Sequence, residues 1–389
     1  MKLSRGISFK EFNLKKPKKN LKLQLKKILE EKNEVIRSLQ NTYKNSYNSN
    51  FISKLKNYSE IRIFGMGGSS LGSRSIYSFL KEKIKKKFIF FDNLNSNSNE
   101  IGIKKNKKLN IVISKSGNTL ETIANVNFFI KKKQKSIFIT EKKNSYITNL
   151  AKKLKADIIS HNNFIGGRYS VLSEVGMLPA ELMGLKCSKF KQLNNLIKNK
   201  NFLNLMITNV SNMIALSKKK KTNSIILNYD ENSSDLFFWY QQLIAESLGK
   251  KSKGFLPVVS NMPKDNHSLM QLYLDGIKNN FYTFFFVEDK SSKKINYKQI
   301  SDNYKYLKNK SILDLKFAQF QATQNVFKKK NIPFRSFFIS KRDEETLGEL
   351  FTFFILETIL LSRVMKINPY DQPAVELIKV ETNKIIRKI

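Results

Sequence analysis

From residue 61 onward, short apolar runs alternate with longer segments whose apolar residues recur at helical spacing. The first runs occupy 61–65, 88–92, 110–114, 136–140 and 157–160. Each has the length of a buried strand, and the helix-length polar stretches between most of them predict parallel strands joined by crossover helices. A second series lies at 224–229, 255–260, 281–288 and 332–339, with long helical patterns over 233–248, 311–327 and 344–365. Upstream, a basic lead-in precedes LKLQLKKILEEKNEVIRSL, whose apolar spacing is helical rather than alternating. Residues 175–220 read as a helical connector, and a last helix is expected from about Gln372.

The pattern therefore predicts an α/β fold with two units of similar size. Its expected divisions are a basic, helical segment over 1–45, a first α/β domain over 46–185, a helical connector over 186–220, a second α/β domain over 221–366 and a C-terminal helix over 367–389. A chain of 389 residues is long enough for two domains of roughly 150 residues each. One cysteine, Cys187, excludes a disulfide framework and suits a reducing compartment. Positive residues open the chain without an apolar run behind them, so no secretory signal is expected. The apolar stretch 350–364 is interrupted by Glu357 and is too short to span a bilayer. These features predict a cytoplasmic protein without a membrane partner.

A formal net charge of +40 raises nucleic acid as a partner. The basic residues are overwhelmingly Lys, however, scattered as short runs over nearly every expected helix and loop. They form no single stripe with interleaved aromatics, and clustering rather than total charge marks a nucleic-acid surface. The expectation is a solvated lysine coat that steers anionic substrates at low salt, with no nucleic-acid partner.

Chemistry concentrates in a few segments. In IRIFGMGGSSLGSRSI, residues 61–76, a strand ends in glycines and small hydroxyls before a helix near Leu71. Glycines there let the backbone approach an anion closely, although a glycine turn after a strand is more often only a tight connection. Ser70 stands where a dinucleotide fingerprint from Gly65 needs glycine. In NIVISKSGNTLETI, residues 110–123, Ser114, Lys115, Ser116 and Thr119 gather between a strand and a helix. Several hydroxyls there suit an anion, whereas one alone would serve only as an N-cap, with Glu121 in the first turn.

NFIGGRYSVLSEVGMLPAEL, residues 163–182, places Arg168 directly after Gly166 and Gly167. Its planar, permanently charged fork suits a developing oxyanion or, equally, a surface ion pair. In WYQQLIAESLGKKSKGFLPVVS, residues 239–260, Gln242 and Glu246 share one helical face. Apolar Trp239, Leu243, Ile244 and Leu248 nearby predict a partly desolvated Glu246, which favours general-base work. His161 and His267 are the only histidines, too few for a zinc cluster. His267, in KDNHSLMQLYLDG, is either a capping or core residue or a proton shuttle. In NPYDQPAVELIKVETNKII, residues 368–386, Gln372 and Lys379 fall on one helical face.

Taken in order, ISKSGNTLET, GGRYSVLSEVGMLPAEL, AESLGKKSKGFLPV, DNHSLMQLYLDG and NPYDQPAVELIKV resemble glucose-6-phosphate isomerases, across about residues 61 to 383. The resemblance implies two sugar-isomerase (SIS) domains, each a parallel five-stranded sheet flanked by helices, and a homodimer. It implies that Ser114, Lys115, Ser116 and Thr119 hold a sugar phosphate and that Gly68 and Ser69 border the sugar. Glu246 would be the base moving a proton between C2 and C1, and Arg168, with Gly167 as backbone support, would stabilise the enediolate. His267 would help open the sugar ring from the partner subunit, with Lys379 assisting, while Gln242 and Gln372 position hydroxyls. No metal and no cofactor is implied. Departures are the short chain, Ser70 and Ser73 after the first glycine loop, and Pro373-Ala374 and Ile378 near Lys379. The rival readings are a non-catalytic sugar-phosphate sensor, an isomerase that also takes mannose 6-phosphate, and a charge-driven nucleic-acid binder. The sensor would need the hydroxyl loop but not Glu246, His267, Arg168 and Lys379 together.

Overall fold

The computed structural model describes residues 2–12, 14, 19–94, 107–288, 291–296, 298 and 300–389. Part of the basic lead-in, residues 15–18, therefore lies outside the described residues.

The first sheet holds β2 (Glu60–Phe64), β3 (Lys87–Phe91), β4 (Lys108–Ile113), β5 (Ser136–Thr140) and β6 (Asp157–Ser160), labelled in chain order. All pairings are parallel, and the spatial order is β3-β2-β4-β5-β6. β2 and β5 are buried at every position, as expected of parallel strands covered by helices on both faces. Polar residues in these strands are matched to one another. Glu60 and Arg62, two residues apart on one face of β2, form a buried ion pair at 3.0 Å. Asn110 in β4 donates to Gln134 and to the Ser136 hydroxyl of β5.

The second sheet contains β7 (Asn223–Asn228), β8 (Leu256–Asn261), β9 (Asn280–Val287) and β10 (Phe334–Ile339), mutually parallel. Its fifth strand corrects the sequence expectation. β1 (Ile7–Lys10) comes from the N-terminal segment and pairs antiparallel with β10, giving the order β1-β10-β9-β7-β8. The second sheet is thus mixed. Ile7 and Phe9 point inward while Ser8 and Lys10 face out, the two-residue period of a half-covered edge strand. The helix expected next to it runs Lys19–Glu30.

Helix Lys200–Lys218 leads from the first sheet to the second, and helix Glu344–Met365 is buried along almost its whole length. Glu357, which breaks that helix's apolar run, meets Arg335 of β10 with both side chains fully buried. Tyr240 donates to Glu357, and Asn209 adds a further bond. A buried charge is tolerable only when paired and hydrogen-bonded in this way. One apolar cluster runs through both halves, from Ile61 and Ile111 to Phe285 and Phe337. The last helix, Val375–Ile386, buries no residue. Among the described residues no helix is long and apolar enough to cross a membrane.

Candidate functional site

In the first sheet the chain passes from β2 outward to β3, then returns to the other side of β2 as β4. Strand order reverses between β2 and β4, and open parallel sheets bind ligands beyond the carboxyl ends of strands at such a reversal. The two loops that leave β2 and β4 are the glycine loop at 65–70 and the hydroxyl loop at 114–119.

In the hydroxyl loop, the Ser114 and Thr119 side-chain oxygens are 3.0 Å apart. The amides of Gly117 and Asn118 donate to Ser114 and Ser116. Gly117 has φ +69°, and a Cβ there would sit 2.1 Å from the Ser145 hydroxyl, so the turn needs glycine. Thr119 occupies the N-cap of helix Leu120–Phe129, yet its side chain makes no capping bond. The hydroxyl is turned into the loop toward Ser114, and the Thr119 side chain does not cap the first amides of the helix. Lys115 lies 3.6 Å from Glu141.

The glycine loop meets the Arg168 segment head on. A Cβ on Gly68 would fall 2.1 Å from the carbonyl carbon of Gly167 and 2.5 Å from the amide nitrogen of Arg168. Only a hydrogen fits there. Ser69 is half-buried in the same turn. Gly167 begins a 3-10 turn, Gly167–Leu172, that carries Arg168.

Arg168 is almost fully buried and uses its whole guanidinium. Nε donates to Ser247 at 2.9 Å, and one terminal nitrogen donates to Glu246 at 3.0 Å and Gln372 at 2.7 Å. The other donates to the carbonyls of Pro369 and Asp371. Gln242 donates to the second oxygen of Glu246 at 2.9 Å. Helix Ser234–Leu248 thus supplies Gln242, Glu246 and Ser247, and the indole of Trp239 donates to the Arg168 carbonyl at 3.1 Å. Tyr169 lies in contact with the same Ser247; burial pushes its phenol up, against the opposing pull of Arg168.

Glu246 is partly buried, as its apolar neighbours led one to expect, and polar partners hold its carboxylate. Trp239, Leu243, Ile244 and Leu248 are buried in the core, while the Glu246 side chain is 31% exposed and its carboxylate is gripped by Arg168 and Gln242. The helix turns this residue to the cleft rather than to its apolar neighbours.

Gly68, Gly167, Arg168, Gln242, Glu246 and Gln372 are therefore brought together, with Ser69, Ser114, Lys115, Ser116 and Thr119 on the two loops at the same sheet edge. His267 and Lys379 are not part of this contact network. His267 is exposed at the end of a short turn after β8, and Lys379 pairs with Glu376 on the exposed last helix. Ser247 and the Pro369 and Asp371 carbonyls went unrecognised in the sequence. A serine beside a candidate base was the one visible signal, since backbone acceptors leave none. Among the described residues no three or more His, Cys, Asp or Glu side chains cluster as metal ligands.

A model of the family described as phosphoglucose isomerase matches residues 15–260. The chain is 31% identical to a glucose-6-phosphate isomerase of Methanocaldococcus jannaschii over 337 residues, covering 83% of each chain. In three dimensions it is similar to a hypothetical protein of Thermus thermophilus, with a TM-score of 0.81, 21% identity and 94% of each chain covered. A glucose-6-phosphate isomerase of Chlamydia trachomatis gives a TM-score of 0.70 at 20% identity, over 91% of this chain and 72% of that one. At such identities the two structures speak for the fold.

Proposed function

The chain belongs to the phosphoglucose isomerase family and is an isomerase, and from that premise we propose that it interconverts glucose 6-phosphate and fructose 6-phosphate by proton transfer through an enediolate. The observation that carries the reading is the Arg168–Glu246 pair at 3.0 Å, set beside a hydroxyl loop whose Thr119 leaves its helix uncapped. Ser114, Ser116, Thr119 and Lys115 anchor the phosphate, and that remote binding orients the reacting carbons. Gly68, Ser69, Gln242 and Gln372 border the sugar and position its hydroxyls.

Glu246 takes the proton from C2 and returns it to C1. In the free protein its carboxylate accepts from Arg168 at 3.0 Å, and general-base work requires that carboxylate unprotonated. When substrate enters, the same guanidinium faces the oxygens on which negative charge develops, and Gly167 supports it. A glutamate base with electrophilic help also serves triosephosphate isomerase, a worked example of that chemistry. The reaction so written needs no metal and no cofactor.

Two residues outside the cluster complete the reading. His267 of the partner subunit opens the sugar ring in a homodimer, which its exposure in a single chain allows. Lys379 assists when the exposed last helix closes toward the cleft. The reaction belongs to glycolysis and gluconeogenesis, in the cytoplasm. Purified protein treated with EDTA and given fructose 6-phosphate is expected to form glucose 6-phosphate, read by a coupled dehydrogenase. A folded protein that binds sugar phosphate without turning it over would instead be a sensor.

A further inference from the structure

The segment that carries Arg168 is closed at its base by a buried pair that no step above uses. His161 follows β6 directly, and Glu174 is the first residue of helix Glu174–Leu182. Their side chains are 1% and 2% exposed, and His161 Nδ1 lies 2.5 Å from Glu174 Oε1. The other ring nitrogen lies 3.0 Å from the carbonyl of Ile165, so both ring nitrogens of His161 have oxygen partners. The same Glu174 oxygen accepts from the Asn162 amide at 3.1 Å, and its second oxygen accepts from Tyr43 at 3.2 Å. At the far end of the turn, the buried Lys191 ammonium donates to the Leu172 carbonyl.

Ile165 immediately precedes Gly166, Gly167 and Arg168, and those glycines leave the backbone little stiffness of its own. A clasp that ties residue 161 to residue 174 and grips residue 165 therefore fixes where the Gly68–Gly167 contact and the Arg168 backbone sit. We propose that His161 and Glu174 are positioning residues that set Arg168 for reaction, an inference that rests on the function proposed above. Burial opposes ionisation of Glu174, but the His161 ring together with the backbone amides of Glu174 and Asn162 holds the carboxyl below its usual range.

The chain contains one tryptophan, Trp239, and its indole bonds the Arg168 carbonyl. Its fluorescence therefore reports Arg168 placement without any turnover. Glu174→Ala is expected to lower kcat about tenfold with KM for fructose 6-phosphate changed less than about twofold, and to shift the Trp239 emission. Glu174→Gln, which keeps the shape and an acceptor, is expected between the two, with a loss of about threefold. In an Arg168→Lys background the Glu174→Ala change should cost less than about twofold, because the clasp acts through Arg168. Where Glu174→Ala does not fold, Glu174→Gln and its emission carry the test. Unaltered kcat and emission in a folded variant, or an equal loss with and without Arg168, would overturn the proposal. A wild type that lacks turnover would instead remove the function reading, while the Trp239 emission still decides the clasp.

Discussion

Replacing Gly68 by alanine adds one carbon at the tightest backbone contact in the site. The new Cβ would lie 2.1 Å from the carbonyl carbon of Gly167, 2.4 Å from its oxygen and 2.5 Å from the Arg168 nitrogen. Ordinary contact begins at 3.4 Å, and all three neighbours are backbone atoms that no rotamer change can move. The glycine loop and the Arg168 turn must therefore separate by about 1.3 Å, and overpacking of this kind costs about 1–3 kcal/mol. A displacement of about 1 Å in a catalytic group costs about a hundredfold in rate. We expect kcat/KM for fructose 6-phosphate to fall about a hundredfold, equivalent to about 2.7 kcal/mol, mostly through kcat. The coupled assay gives the rates, and a thermal melt confirms that the variant is folded. Gly166→Ala is the internal comparison. Gly166 has φ −68°, and its nearest neighbour is a Tyr169 ring carbon at 3.9 Å. That variant should stay within about threefold of wild type, since no backbone has to move. A folded Gly68→Ala enzyme with near-native kcat/KM would refute the reasoning.

Ser114→Ala removes a buried hydroxyl from the hydroxyl loop proposed to anchor the phosphate, and KM for fructose 6-phosphate should rise about tenfold with little change in kcat. Steady-state kinetics in both directions check this. Glu357→Gln leaves Arg335 fully buried opposite a neutral partner and should lower stability by about 3–5 kcal/mol in urea unfolding. Glu349 supplies a pH prediction: burial pushes its carboxyl up to about 7, more strongly than the Ser4 hydroxyl lowers it. The unfolded chain loses that proton near the ordinary value of 4.5, so this group's contribution declines as pH rises from 4.5 toward 7. Glu349→Gln should abolish that decline and unfold at higher temperature than wild type at pH 7.5 or so, with melts at several pH values as the measurement.

The inner strands of the first sheet were legible because burial on both faces leaves an unbroken apolar run, as in Ile137–Phe138–Ile139. β1 was not, because four alternating residues within a lysine-rich lead-in look like any short polar segment. The edge pairing that makes it a strand lies more than three hundred residues away in sequence, at Ile7 and Ile339. The site divides in the same way. Local loops at Gly68 and Ser114 announce themselves through composition. The meeting of Arg168 with Glu246, Gln372 and the Pro369 carbonyl is a product of tertiary structure, across as many as 204 residues of chain. The partial burial of Glu246 was legible from its apolar helical neighbours, whereas its contact with Arg168, 78 residues away in sequence, was not. His161 and Glu174 are thirteen residues apart with no helical period to relate them, so their contact was invisible before the loop between them had a shape.

The most direct test of the whole account is Glu246→Gln, compared with wild type in the conversion of fructose 6-phosphate to glucose 6-phosphate in EDTA. The amide keeps the size and can still accept from Arg168 through its one oxygen, but it cannot take a proton from carbon. Wild-type turnover that falls by about three orders of magnitude or more in the variant, with sugar-phosphate binding retained, is the predicted result. Turnover surviving near the wild-type rate in Glu246→Gln would contradict the assignment of the base and the mechanism built on it.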